Sequence, residues 1–250
     1  MRISPMSGAL VLFATMATLG GCVDNDVSLT ISRFIPPDPA SLTSGMCKFD
    51  PTVTVNQTRG SYDLAMANVI HSGYYANFVV SNNLQPLSGV RIDTQDYSVS
   101  SFDVVLDVTG PITQVIPPSA RSFNYKSGTI RLLPGGLAAA NAQVIDPQYV
   151  AQMIALKVDQ PGTILAHIRA VATRGENQIV SAYSDLPIDV CNDCLTGAAK
   201  GFPACPVPSP TPLEGNACNP AQDFAIQCCN AASGGSVSLL CGADAKPSST

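Results

Sequence analysis

Apolar and polar residues alternate with a period of two through the middle of the chain. Phe102, Val104, Leu106 and Val108 fall on one side of an extended backbone, with Asp103, Val105 and Asp107 on the other. Successive side chains of a strand point to opposite faces, so this pattern predicts a half-buried antiparallel strand. Ile164, Ala166, Ile168, Ala170 and Ala172 repeat it, interleaved with Leu165, His167, Arg169, Val171 and Thr173. This second run ends at Arg174-Gly175-Glu176-Asn177, where glycine can supply the positive φ of a turn, and Gln178–Tyr183 returns. The two predict a hairpin.

Further strands are predicted at Thr52–Thr58, Tyr74–Ser81, Val90–Thr94, Thr129–Leu133 and Ile188–Cys191. Turn residues separate them: Asn82-Asn83, Ser88-Gly89, Thr109-Gly110-Pro111, Pro117-Pro118 and Pro134-Gly135-Gly136. Roughly seven to nine short strands over residues 47–190 predict an all-β domain, an antiparallel immunoglobulin-like β-sandwich. The repeated helical patterns that an α/β fold needs between strands are missing. Two stretches are ambiguous. Asp146-Pro147-Gln148 could cap a helix over Tyr149–Leu156, with proline at its first position. Residues 149–158 read equally as a strand entering the Asp159-Gln160-Pro161-Gly162 turn, and the short connection that Gly162 then provides favours the strand. The alanine-rich Leu137–Ala142 suits one helical turn.

The amino end departs from this alternation. A cationic start with Arg2 precedes the apolar run Gly8–Gly21, the order of a secretory signal peptide over residues 1–21. The run's apolar part, about 12 residues, is too short to cross a hydrocarbon core, which takes ~20. Its ending, Leu19-Gly20-Gly21-Cys22, resembles the bacterial lipobox. In that motif small side chains let the backbone enter the peptidase, and the resemblance implies that Leu19 fills the pocket before them and that the Cys22 thiol carries the diacylglycerol. The resemblance implies that Cys22 becomes the mature, acylated terminus, whose two or three chains suffice for stable anchoring. Val23 stands where the enterobacterial sorting rule places aspartate for inner-membrane retention, which favours the outer membrane. Residues 22–46 read as a tether, polar at Asp24-Asn25-Asp26 and extended at Pro36-Pro37-Asp38-Pro39. Within it, Leu29–Phe34 suits a short strand docked on the main domain.

Of nine cysteines, setting Cys22 aside leaves Cys47, Cys191, Cys194, Cys205, Cys218, Cys228, Cys229 and Cys241. An even set in an exported chain predicts four disulfides. Cys47 opens the β domain and Cys191 and Cys194 close it, so we expect Cys47 to pair with one of them. A loop that long gains up to ~5 kcal/mol in the chain-entropy account. Cys228 and Cys229 are expected to bridge outward rather than to each other. Seven of the eight lie in residues 191–250, a loop-dominated segment with few large apolar side chains that needs such staples.

Charge narrows the partners. Removing residues 1–21 takes Arg2, so Lys and Arg fall from 13 to 12 against 18 acidic residues, leaving −6. That excludes a nucleic-acid footprint and a polybasic membrane patch. The absence of tryptophan removes the commonest stacking platform for sugars. Cys191-Asn192-Asp193-Cys194 has redox or half-zinc spacing, but it follows a strand and lacks a second ligand pair, so structural disulfides from each cysteine to a different partner are expected. His71 and His167, the two histidines, belong to no metal pattern, and His167 sits beside Arg169 on a polar strand face. Asp185, Asp189 and Asp193 recur every four residues, yet Pro187 forbids the helix that would align them. Asp93 with Asp96, and Asp103 with Asp107, read as solvated faces and turns rather than acid/base pairs. Asn56-Gln57-Thr58 matches a glycosylation sequon, a chance match in a bacterial lipoprotein. Tyr74-Tyr75 reads as a packed strand before a binding face. No nucleophile elbow, Ser-x-x-Lys or phosphate loop is present. No catalytic, metal or cofactor residue is therefore expected.

From Gly162 through the strand with Ala166-His167-Ile168-Arg169 to Leu186-Pro187-Ile188-Asp189-Val190-Cys191-Asn192-Asp193-Cys194-Leu195, the chain resembles uncharacterised lipoproteins of predatory or fruiting, myxobacterial-type deltaproteobacteria. Tyr75-Ala76-Asn77-Phe78-Val79-Val80-Ser81-Asn82-Asn83-Leu84 is similar to theirs too. The resemblance implies architecture and compartment, and no activity. The expected function is a non-enzymatic cell-envelope lipoprotein in binding, adhesion or structure, with an envelope protein or glycan as partner. The alternative is an exported hydrolase or thiol-redox enzyme whose residues meet only in three dimensions.

Overall fold

The computed structural model describes residues 28–38, 47–85, 95–202, 204, 216, 218–226, 228–233 and 236–241. These residues are mostly β. The strands are β1 (Leu29–Phe34), β2 (Gly60–Asp63), β3 (Tyr74–Asn82), β4 (Tyr97–Thr109), β5 (Ser122–Leu132), β6 (Leu137–Ile145), β7 (Gly162–Arg174), β8 (Asn177–Val180), β9 (Ser184–Cys191), β10 (Cys228–Ser233) and β11 (Ser236–Cys241). One sheet runs β1-β3-β6, a six-stranded sheet runs β2-β9-β7-β4-β5 with β8 beside β7, and β10-β11 form a ribbon. Among the paired strands of the described residues, only β2 with β9 is parallel.

The alternating runs of the sequence become the centre of the larger sheet. Val104 faces Ile168 and Leu106 faces Ala166 across β4 and β7, with the apolar phase buried and Asp107 and His167 on the outer face. A bulge corrects the phase: Val99 opposes Ala172 and Ser101 opposes Val171, leaving Ser100 as the extra residue. Tyr97 and Val99 before it, and Phe102 and Val104 after it, can then all point inward. Phe78 of β3 meets Phe102 of β4 edge to face at 4.9 Å, and Phe34 packs on Phe78 at 6.0 Å. One apolar cluster takes in both sheets, so they form a β-sandwich.

Polar side chains fix the ends of the elements. Asp63 is fully buried and caps helix α1 (Leu64–Ile70), accepting from Ala65 N–H at 3.0 Å and Met66 N–H at 3.4 Å. The same carboxylate accepts from the Asp193, Leu195 and Thr196 N–H groups, which wraps the loop after β9 around it. Gln222 imitates a strand. Its amide accepts from Tyr75 N–H at 3.0 Å and donates to Tyr75 C=O at 3.0 Å, satisfying the start of β3. Ala221, Ile226 and Cys228 join the common core.

Asn82 closes one end of the sandwich. Fully buried, its side-chain amide donates to Leu132 C=O at 3.2 Å and Gln95 C=O at 2.9 Å. Its backbone exchanges hydrogen bonds with Gly135 and Gly136, in the turn between β5 and β6. Gly135 takes φ 72°, the left-handed conformation that turn requires.

Several expectations need correction. Residues 149–158 are not a strand: a 3₁₀ turn over Pro147–Tyr149 leads into helix α2 (Val150–Ile154). The local signals prevail, since Asp146 accepts from Gln148 N–H at 2.9 Å and Pro147 stands where no donor is needed. Leu137–Ala142 is not a helical turn but the start of β6, where Ala138, Ala140 and Ala142 lie opposite Val80, Phe78 and Ala76. Thr52–Thr58 is loop. Arg33 donates to Val53 C=O and Pro51 C=O, and Asp50 accepts from Thr52, so the backbone needs no ladder. Cys47 pairs with neither Cys191 nor Cys194; it pairs with Cys218, and Cys191 and Cys194 bridge each other rather than different partners. The chain after β9 returns to β2 and β3, which brings Cys218 rather than Cys191 to Cys47. Cys228 bridges outward to Cys241, and Cys229 is bridged as well. Leu29–Phe34 docks on β3. Thr129–Leu133 falls within β5 up to Leu132. Val90–Thr94, Cys22 and Cys205 lie outside the described residues.

Replacing Asn82 with alanine is expected to remove the donor from the buried Leu132 carbonyl and the part-buried Gln95 carbonyl and to free the β5–β6 turn, at a cost of ~2–3 kcal/mol. Denaturant unfolding should show an earlier midpoint; an unchanged midpoint contradicts the clamp.

Candidate binding cleft

The strands β5 and β6 follow one another in sequence but are the edges of different sheets. The turn held by Asn82 joins them at one end, and at the other they part around a cavity of about 350 Å³. Its floor is apolar, with Leu106, Ile116, Val144 and Ile145 all buried. Arg121 secures that floor by donating to Ile116 C=O at 2.9 and 3.0 Å and to Thr113 C=O at 3.0 Å.

Alternation along β5 supplies one wall. Ser122, Asn124 and Lys126 are exposed, while Phe123 and Tyr125 are half-buried against the cavity. Gln143 of β6 supplies the other wall, and the capped turn Asp146–Tyr149 forms the rim. Tyr75, paired with Gln143 in register, lies near enough to Tyr125 and Asp146 that their charges, after its own burial, hold its phenol above the ordinary range. Gln222 therefore reaches the cleft indirectly, because it fixes the backbone of Tyr75. Among the described residues, the side chains of Tyr125, Gln143, Gln148 and Tyr149 have no hydrogen-bond partner. An apolar floor beneath several unengaged donors and acceptors suits an amphipathic ligand.

The outer face of the six-stranded sheet carries most of the residues that the sequence singled out. His167 Nδ1 lies 2.7 Å from Asp185 and Nε2 lies 3.2 Å from Asp107. Burial pulls the imidazole down, but the hydrogen bonds and charges of the two carboxylates outweigh it, so His167 titrates above its ordinary value. Asp103 accepts from Arg169 at 2.9 Å and from Asn124 through its other oxygen. The Arg169 guanidinium stands 4.9 Å over the Tyr183 ring. Asp189 accepts from Arg59 and Thr163, and the Arg59 bonds hold it below the carboxylate range against its burial. Asp103 and Asp107 thus have separate partners, as do Asp185 and Asp189. Asp96 pairs with Arg131, and Asp93 lies outside the described residues. His71 takes the left-handed position that ends α1. Tyr74 is buried in the core while Tyr75 faces the cleft region. Among the described residues, no cluster of histidine, cysteine, aspartate or glutamate could hold a metal.

Asp223 was not singled out by the sequence. Its backbone takes φ 74° and its carboxylate accepts from Tyr74 O–H at 2.6 Å and Gln222 at 3.1 Å. The residue reaches the surface, but the carboxylate is enclosed against Gly60, where an added Cβ would lie 3.2 Å from Oδ1. Burial without a cationic partner raises it to about 6, despite the hydrogen bonds from Tyr74 and its neighbours. No short motif marks such a residue, and only its position after the buried Gln222 explains it.

No protein-family model and no curated protein matches the chain. Among solved structures, a family 123 glycoside hydrolase from Clostridium perfringens, described for glycolipid glycan hydrolysis, is similar over 74% of this chain at 14% identity with a TM-score of 0.22. The match spans 29% of that enzyme, and a likeness this slight carries neither fold nor activity.

The raised Asp223 has a definite sign. Its folded value of about 6 exceeds the ordinary 3.8, so its stabilisation is present below that ordinary value and lost as pH rises through the folded one. Asp223→Asn should remove that loss, gaining up to roughly 3 kcal/mol on wild type at neutral pH and little at acid pH. Equal gains at both pH values, or none, would contradict the burial of this carboxylate.

Proposed function

We propose that the chain is a lipid-anchored protein of the cell envelope, held in the outer membrane through Cys22, whose sandwich recognises a ligand at the β5–β6 cleft without catalysing a reaction. The observation that carries this reading is the cleft itself, with an apolar floor and a rim of unengaged amides and phenols. We place the sandwich in the immunoglobulin-like class, because the chain crosses between two mainly antiparallel sheets from β3 to β4, β5 to β6 and β6 to β7. Loops and edges on such a rigid frame commonly carry recognition. The partner is a glycan or a protein of the envelope, and the Gly162–Leu195 stretch resembles the myxobacterial-type lipoproteins.

Two features weigh against the hydrolase and thiol-redox alternatives. Both ring nitrogens of His167 are engaged by carboxylates. Cys191 and Cys194 bridge each other at the end of a strand, not at the helix amino terminus that lowers a thiol pKa in redox dithiols.

Intact-mass analysis of the protein from outer-membrane fractions tests the anchor. Wild type should lack residues 1–21 and carry two or three acyl chains, whereas Cys22→Ala should carry none and leave that fraction. An unacylated wild type, or one retaining residues 1–21, refutes it.

A further inference from the structure

We propose that the β5–β6 cleft binds a short, uncharged saccharide; the assignment rests on the recognition reading above. A sugar ring offers an apolar C–H face and a periphery of hydroxyls, each both donor and acceptor. The cleft presents the matching pair of surfaces. Phe123, Tyr125 and Tyr149 are half-buried rings on its walls, and the amides of Gln143 and Gln148 each offer donors and an acceptor. Tyrosine here supplies the aromatic surface that a chain without tryptophan must find elsewhere.

Other ligand classes fit less well. Lys126 and Asp146 set one charge of each sign at the rim, and Asp146 is already engaged in capping Gln148, so a charged ligand gains little. An acyl chain would bury the amides and phenols without partners. An extended peptide would add to the outer edge of β5. Leu106 N–H donates to Arg121 C=O, so by antiparallel alternation the main-chain groups of Ser122, Asn124 and Lys126 face that edge. The usable edge is short: Ser101 opposes Lys126 but Val99 opposes Ile130, so the strand bulges directly beyond it. A cavity of about 350 Å³ lies at the small end of ligand sites, ~300–1,000 Å³, which suits a chain end rather than a long stretch of polymer.

The test titrates the full chain in detergent with three probes: an N-acetylglucosamine tetramer, cellotetraose and an uncharged tetrapeptide. Saturation-transfer NMR and calorimetry read binding. One saccharide is expected to saturate, with its ring protons receiving magnetisation from tyrosine. The acetylated and plain sugars separate an amino-sugar polymer from other glycans. Tyr149→Ala and Gln143→Ala should each weaken that binding by about tenfold at unchanged melting temperature, while His167→Ala on the outer face leaves it alone. Gln148→Ala, at an exposed position, replaces Tyr149→Ala if the latter lowers the melting temperature. Two outcomes overturn the assignment and the cleft together: no saccharide binding with no peptide binding, or saccharide binding that survives every cleft substitution. Peptide binding lost in these variants, with no saccharide bound, overturns the saccharide and leaves cleft recognition standing.

Discussion

Hydrogen-bonded strands lie about 4.8 Å apart, whereas packed sheets lie about 10 Å apart. Two consecutive strands assigned to different sheets must therefore diverge wherever their connecting turn does not hold them. In this molecule β5 and β6 are such a pair, and each is the edge of its sheet. Asn82 fastens their near ends through Leu132, Gly135 and Gly136. The far ends open over Leu106, Ile116, Val144 and Ile145, so the cleft is a geometric consequence of topology and one buried amide.

The two polar surfaces of the sandwich differ in kind. On the outer face, Asp107 and Asp185 engage His167, Asp103 engages Arg169, and Asp189 engages Arg59. Charges so matched have little left to offer a ligand. In the cleft the order is reversed: the rigid groups are apolar and buried, and, among the described residues, the side chains of Tyr125, Gln143, Gln148 and Tyr149 are unspent. The surroundings are braced for that role, with Arg121 below, the Asp146 cap at the rim, and Gln222 holding Tyr75 behind β6.

How much was legible in the sequence depends on where the determining contact lies. Strands β4 and β7 were legible because their period of two is local and their partners are each other. The loop at Thr52–Thr58 misled, because its backbone is satisfied by Arg33, about twenty residues away, rather than by a neighbouring strand. The alanines of β6 were read as helical from propensity, yet their small side chains lie in register beside Phe78. The pairing of Cys47 with Cys218 was hidden because the amide side chains of Asn219 and Gln222, which carry no periodic signal, help return the final segment to the start of β3. Tyr75, beside the cleft, was noticed but assigned to packing. Phe123, Tyr125, Gln143 and Tyr149 carry no motif, and only the parting of two sheets brings them together.

The central claim is that recognition belongs to the end of the sandwich where β5 and β6 part. Amide hydrogen exchange of the full chain, with and without solubilised envelope glycan, addresses it directly. The account predicts added protection in residues 122–126 and 143–149, with the outer face at His167 and Arg169 unchanged. Protection centred on that outer face, with the cleft segments unaltered, would contradict it.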